Sequence, residues 1–475
     1  MRRTRMAAAA VLLLMAVAGT ASAQCVTEVR EIYSRSNSTS LVAGPFAWNG
    51  QMFAVASRQA SNNSVWVSFF SEAGDQLFPN VKVPSSDDSE LIDILWNGTE
   101  FGLFFETEDH RLILRRVSTT GELIGPAIEP LARQDYVIGD TDELDVMWSP
   151  DHNAYLLART DHTPSPRVFL TVIERTGLVR SDEEIAPAAP ESLVRIDVTT
   201  GSNVIGIFYE QEGTRHIMLA PIVEGELETI RKVWETTGPD LVIDARATDD
   251  FVLARTQTQG DGRKTIRWKI VDTNGRQVRQ EARFLIGTGL DVAPLSLMAR
   301  GDEIILTYLD SRDGFETQIG NYRIRRVNTD GDTLSDTFFA ATESGRRRAQ
   351  TPYDFVWTGN AFVAIVVRDT DSGDDSFLVR LCVLKAEISG PRVMHPGDTV
   401  TFTGTAEGGV PPYNFVWRWG FFDEAFGPTP QIRFDTAGTY VLTLTITDDT
   451  GSIATDTFEV TVAPQVKPRR RSVRK

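Results

Sequence analysis

The chain has 475 residues, 24% of them charged, with a formal net charge of −17, two cysteines and five histidines. Two thiols cannot build a structural zinc site alone. So acidic a balance sets the folded body against nucleic acid and anionic membrane as partners. The length suits one large domain followed by a smaller one.

Arg2, Arg3 and Arg5 precede an apolar run from Ala7 to Gly19, and Ala21, Ser22 and Ala23 give a small-x-small cleavage pattern. Residues 1–23 therefore read as a signal peptide cut before Gln24, and a secreted, periplasmic or cell-surface protein is expected. The run is short for a permanent anchor, and no second stretch of spanning length follows. Gln24 ahead of Cys25 does not suit a lipoprotein. Without the three leader arginines the charge is −20, and without the six cations after Pro464 the remaining body carries −26. Cys25 and Cys382 remain after cleavage, and an isolated pair in an oxidising compartment is expected to form a disulfide.

From residue 24 to residue 385 one strand pattern recurs. An apolar strand ends in an aromatic residue, a tight turn follows, and a second apolar strand begins. Trp48 leads through Asn49 and Gly50 to Phe53, Trp96 through Asn97 and Gly98 to Phe101, and Trp148 through Ser149 and Pro150 to Tyr155. Degenerate copies precede Val204, Phe251 and Ile304, and Trp357 leading to Phe362 returns to type. The spacing is about 50 residues. A third strand and a second glycine turn usually follow, as at Gly121, Gly275 and Gly331. Asn-Gly and Asp-Gly turns of this kind are expected to need positive φ at both central residues.

Four short antiparallel strands per repeat resemble the blades of a β-propeller. The expected fold is all-β, with seven blades. The last copy has three strands, and the segment from Val26 to Tyr33 fits the missing fourth, closing the ring and covering its edges. No aspartate-box, kelch or WD signature accompanies the blades, so this resemblance speaks for architecture and not activity.

From residue 386 to 464 the pattern changes to half-buried sandwich strands of period two. Pro411, Pro412 and Tyr413, then Trp417, Trp419 and Gly420, then Ala437, Gly438, Thr439 and Tyr440 resemble a PKD domain, an immunoglobulin-like module of secreted proteins. The resemblance implies a spacer or an aid to adhesion and no catalysis. Its usual Trp-Asp-Phe-Gly-Asp core stands here as Trp419, Gly420, Phe421, Phe422 and Asp423. The stretch 385–389 is expected to link two separately cored domains. Residues 465–475 form a basic tail expected to be disordered.

Two constellations are candidates for binding. Asp93, Asp145 and Asp354 each precede the turn tryptophan by three residues, with Asp197 and Asp244 read as their counterparts. Rotation of equivalent positions about the propeller axis would make a ring of carboxylates, for a cation, a basic ligand or acid and base. The competing reading is that each aspartate accepts backbone hydrogen bonds. The second strands close on Arg58, Glu106, Arg159, Glu210, Arg255, Asp310 and Arg368, which suit a polar rim facing a charged saccharide or peptide, or plain solvated strand ends. Asp272 and Asn274, and Asn328 and Asp332, faintly resemble calcium loops but fall where hairpin turns are expected. No catalytic residues, metal site or cofactor are assigned. The expected function is a monomeric secreted binding or scaffold protein for an extracellular glycan or protein. The alternative is a propeller enzyme acting on polysaccharide, a hydrolase or lyase.

Overall fold

The computed structural model describes residues 28–33, 41–132, 144–161, 167–186, 196–201, 204–211, 214–223, 226–227, 231–236, 241–245, 250–258, 263–288, 291–300, 303–311, 320–331, 333–340, 355–358, 361–370, 373–409, 411–420, 423–449 and 453–464. The named elements are all strands. Among the described residues they form seven antiparallel blades and a C-terminal sandwich. The innermost strands of the blades are Leu41–Trp48, Glu90–Trp96, Leu144–Ser149, Ile196–Gly201, Leu241–Ala245, Asp291–Arg300 and Phe355–Trp357.

The second strand of each blade reads as an unbroken apolar run because both of its faces are covered by neighbouring blades. Phe101–Glu106 shows how. Phe101, Leu103 and Phe105 pack with Ala54, Val67 and Phe69 of blade one. Phe104, on the opposite face, packs with Tyr155 and Leu157 of blade three. Each such aromatic contributes roughly 1.5–3 kcal/mol when fully buried. Blades five and six share Ala254, Trp268, Ile304 and Leu306 in the same manner.

Glu28–Tyr33 pairs antiparallel with Gly373–Cys382, Glu28 standing opposite Arg380, and so supplies the fourth strand of blade seven. Blade seven then packs on blade one through Val363, Ile365 and Leu378 against Leu41, Phe53 and Phe70. Polar contacts cross the same seam: the amide of Ala43 donates to Ser376 Oγ at 3.1 Å, and Thr358 Oγ1 donates to Glu72 at 2.9 Å. Cys382 is fully buried. Cys25 lies outside the described residues.

The hairpin turns differ from the expectation in one respect. Gly50, Gly98, Gly121, Gly275 and Gly331 have positive φ, but the residues before them do not. Asn49 Oδ1 instead accepts from the amides of Gln51 and Met52 at 2.9 and 2.8 Å, and Asn97 Oδ1 accepts from Thr99 and Glu100. The asparagine acts as a side-chain cap and leaves only glycine in the left-handed region. At Gly177, φ is +86° and an added Cβ would lie 2.4 Å from Ile128 of the preceding blade, so this turn seats one blade on the next.

The sandwich core gathers Phe402, Trp417, Phe434, Leu442, Leu444 and Val460. The stretch 385–389 is no linker. Lys385–Ser389 is a strand paired with Thr403–Glu407, and Leu384, fully buried, already belongs to the sandwich core. The sandwich is also joined to blade six. Ser335 and Asp336 of the outer strand Thr333–Ala340 pair with Ala454 and Ile453, and Thr455 Oγ1 donates to the Thr333 carbonyl at 3.1 Å. Blade six and the larger sandwich sheet therefore form one continuous sheet. A fragment 383–464 is expected to melt as a single cooperative unit, whereas a fragment beginning at residue 387, cutting away Leu384 and half of the first strand, should melt earlier by calorimetry. Losing a buried leucine alone costs about 2–5 kcal/mol. Equal melting of the two would show that Leu384 contributes little to the sandwich.

Candidate functional site

Strand register decides which of the candidate carboxylates are equivalent. Trp96 pairs with Phe101, Trp148 with Tyr155 and Thr200 with Ile205, and three residues earlier Asp93 faces Phe104, Asp145 faces Ala158 and Asp197 faces Phe208. These three aspartates occupy one position on consecutive innermost strands. Asp244 does not join them. Ala245 pairs with Phe251 and Asp244 with Val252, so it lies two residues nearer the turn. The equivalent residue in blade five is Val242, and in blades one and six it is Pro45 and Ser296. Asp354 lies outside the described residues. Asp93 and Asp145 are half-buried, and Asp93 Oδ1 accepts from the Ile94 amide at 2.7 Å. Leu144 and Val146 pack toward blade two, so strand alternation turns Asp145 toward blade four.

The charges at the ends of the second strands do not form a ring of equivalent positions. Counted from the residue paired with the turn tryptophan or its counterpart, namely Phe53, Phe101, Tyr155, Ile205, Phe251, Ile304 and Phe362, Arg159 and Arg255 lie four residues on, Arg58, Glu106 and Glu210 five, and Asp310 and Arg368 six. Successive strand residues point to opposite faces, so these charges divide between the two faces of the blades. The strands simply differ in length.

Several of these charges are engaged within their own blade. Arg159, almost fully buried, donates to both carboxylate oxygens of Asp182 at 2.8 and 2.7 Å and lies 4.3 Å from the Phe169 ring centroid. Thr171 Oγ1 donates to the same carboxylate at 2.6 Å. Arg255 reaches Glu281 at 3.7 Å, and Arg58 is exposed. Glu106 meets His110 Nδ1 at 2.6 Å, and His110 holds a φ of +61°. Asp272 Oδ1 accepts from the amides of Asn274 and Arg276 at 2.9 and 2.8 Å, so this carboxylate closes its own turn. Among the described residues no group of histidine, cysteine, aspartate and glutamate is arranged to hold a metal ion.

A polar network between blades two and three was not evident from residue types. Arg116 makes a two-pronged pair with Glu100, at 2.6 and 2.9 Å. Asn97 Nδ2 donates to the buried Tyr155 hydroxyl at 2.9 Å, and Arg175 donates to Thr99 Oγ1 at 2.8 Å. The pair recurs in blade six as Arg326 with Glu303. Its sequence signal in these two blades is a glutamate at the start of the second strand, Glu100 just before Phe101 and Glu303 opening Glu303–Ser311, and Arg-Arg-Val in the last turnward residues of the third strand, at 115–117 and 325–327. Burial pushes the Tyr155 phenol up to about 12. The neutral phenol is thus favoured in the fold, and its contribution is complete below pH 10 and lost as pH rises toward 12. Tyr155→Phe is expected to flatten that alkaline loss in melting curves taken between pH 9 and 11.5. An unchanged slope would place the alkaline sensitivity elsewhere.

Residues 385–462 match the PKD domain family. No curated protein matches the chain. Among solved structures, the periplasmic gluconolactonase of Pseudomonas aeruginosa is similar at 12% identity and TM-score 0.45, with 68% of this chain and 93% of that one covered. The propeller domain of the trilobed protease of Pyrococcus furiosus is similar at 11% identity and TM-score 0.43, with 71% and 95% covered. Prolyl oligopeptidase B of Galerina marginata is similar at 12% identity and TM-score 0.40, with 70% of this chain covered, and the chain spans 47% of its length.

Proposed function

We propose that this chain is an exported, non-catalytic binding or scaffold protein whose propeller engages an extracellular glycan or protein, with the PKD domain as accessory binder. The observation that carries the reading is the shared register of Asp93, Asp145 and Asp197 on three consecutive innermost strands. Like groups in like places suit recognition. Acid–base catalysis needs two groups held in unlike environments. The strand pairing between sandwich and blade six supports an accessory role over that of a loose spacer. PKD domains are typical of extracellular proteins, and among the described residues no helix is long and apolar enough to cross a membrane. A signal peptide at 1–23 and a disulfide between Cys25 and Cys382 belong to the same proposal. Supporting the pairing, Glu28, three residues after Cys25 in the sequence, stands opposite Arg380, two residues before Cys382.

A binding screen of the mature protein against glycans and secreted proteins, run beside a polysaccharide hydrolysis panel, tests this. Saturable binding without turnover is expected. Turnover on any polysaccharide that Asp145→Asn abolishes would overturn the non-catalytic reading.

A further inference from the structure

Three asparagines are followed by glycine, at 49–50, 97–98 and 274–275. Asparagine is a thermolabile residue, and a following glycine, having no Cβ, leaves its own backbone amide free to approach the asparagine side chain. Two nitrogens then matter: the glycine amide that would attack and the asparagine amide that would leave. The fold treats them differently at the three places.

Asn49 and Asn97 occupy the same turn in neighbouring blades. The amide of Asn49 donates to the Met52 carbonyl at 3.2 Å and that of Asn97 to the Glu100 carbonyl at 3.1 Å, and Gly50 and Gly98 have φ of +96° and +89°. In both turns Oδ1 lies between two backbone N–H groups, those of Gln51 and Met52 at 2.9 and 2.8 Å and those of Thr99 and Glu100 at 3.1 and 3.0 Å. That oxygen gains negative charge when a nucleophile adds to Cγ, so each cap doubles as a small oxyanion hole.

The two turns part at the leaving nitrogen. Asn97 is 4% exposed, and its Nδ2 donates to the Tyr155 hydroxyl at 2.9 Å. Asn49 is half-buried, Gly50 beside it is exposed, and among the described residues neither Asn49 Nδ2 nor the Gly50 amide has a hydrogen-bond partner. Asn274 is exposed, but there the attacking nitrogen is engaged: the Gly275 amide donates to the Asp272 carbonyl at 2.8 Å.

We propose that Asn49 is a site of self-modification, where the chain converts its own asparagine to aspartyl and isoaspartyl, while the fold withholds the same reaction from Asn97. Hydroxide takes the proton of the Gly50 amide. The nitrogen adds to Cγ of Asn49, and an electron pair moves to Oδ1. The Cγ–Nδ2 bond then breaks, and Nδ2, taking a proton from water, leaves as ammonia. Water opens the resulting five-membered imide at either carbonyl. Opening on the side-chain side leaves an aspartyl residue, and opening on the main-chain side leaves a backbone that runs through Cβ and is one atom longer. In sum, one water enters and one ammonia leaves. The turn that is altered adjoins Trp48, whose ring packs on Phe53 at 4.4 Å between centroids.

The mature protein, aged at mildly alkaline pH and digested in mild acid, tests this by mass spectrometry of the three asparagine–glycine peptides. Asn49 is expected to convert first, at a rate proportional to hydroxide. Asn274 and Asn97 should each be slower by roughly tenfold or more, the factor that one hydrogen bond broken beforehand supplies. In urea the three rates should converge, since each site is then asparagine before glycine and nothing more. Tyr155→Phe, which removes the partner of the leaving nitrogen, should speed Asn97 and leave Asn49 unchanged. Asn49→Asp, which keeps an acceptor for the two amides but has no amide to lose, should abolish most of the isoaspartate that enzymatic methylation counts in the aged parent. Asn49 converting no faster than Asn97 in the folded protein overturns the proposal, as does an Asn49→Asp variant that accumulates as much isoaspartate as the parent. Should Tyr155→Phe fold poorly, the ratio of the folded to the urea rate at 49 against that at 97 decides, and equal ratios overturn it.

Discussion

Cys382→Ser in the mature protein is expected to lower the propeller's melting temperature by about 3–8 °C while leaving the sandwich transition in place. The proposed bridge to Cys25 would close a loop of 357 residues. The chain-entropy model gives roughly 6 kcal/mol for it as an upper bound, and native bridges typically contribute about 2–4 kcal/mol. A domain of this size has an unfolding entropy near 0.75 kcal/mol/K, so each kcal/mol moves the midpoint by about 1.3 °C. The substitution would also leave a hydroxyl in a site where the native Cys382 side chain is fully buried beside Ala361, adding to the loss. Cys25→Ser, which introduces no such hydroxyl at that buried site, separates the two effects. Calorimetry that finds Cys25→Ser as stable as the parent, or titration of the unfolded non-reduced protein that finds two reactive thiols, would remove the bridge.

The second large effect is expected at Arg116. Its partner Glu100 is nearly buried, with an 8% exposed side chain, and Arg116 is 26% exposed. Arg116→Met leaves that carboxylate without its cation beside the Tyr155 hydroxyl. Breaking a buried pair from one side costs about 3–5 kcal/mol, reduced here to roughly 2–4 kcal/mol by the residual exposure of the arginine. Glu100→Gln should cost less, since a neutral amide still accepts from the guanidinium. The exposed pair of Arg111 with Glu129 supplies the contrast, and Arg111→Met should cost far less, because water screens the pair. Comparable losses at 111 and 116 in urea melts would show that burial does not set the strength of these pairs.

The blades were legible because the turn tryptophans and the asparagine–glycine pairs recur at near-constant spacing, and because strands covered on both faces cannot avoid being apolar. The swapped first strand was legible from a vacancy: three strands after Trp357 and one strand with no partner at residue 28. What misled was counting along the chain where turns differ in length. From the last paired residue of the first strand to its partner on the second is five residues at Trp96 but six at Ala245, and Asp244 slipped out of register accordingly. The rim charges failed for the same reason, since a strand's last residue marks its length and not its place around the axis. The Glu100–Arg116 pair was hidden because its members are 16 residues apart and meet only when a hairpin folds. The stretch 385–389 looked like a linker because polar residues such as Lys385 and Glu387 occupy the exposed side of a strand whose inner side, Ile388, is buried.

The sandwich is attached to two different blades. Its chain emerges from the third strand of blade seven at Cys382, while its last strand pairs with the outer strand of blade six at Ser335 and Asp336. It thus straddles the joint between those blades as a splint straddles a fracture. A pull on the carboxyl end after Val462 would be borne first by the short pairing with blade six, and only after that gave way by the covalent chain into blade seven. The pairing with blade six comprises two residue pairs, far fewer than hold the last strand within the sandwich. At moderate load the splint should slip from blade six while the ring holds, lengthening the tether before any blade is torn open.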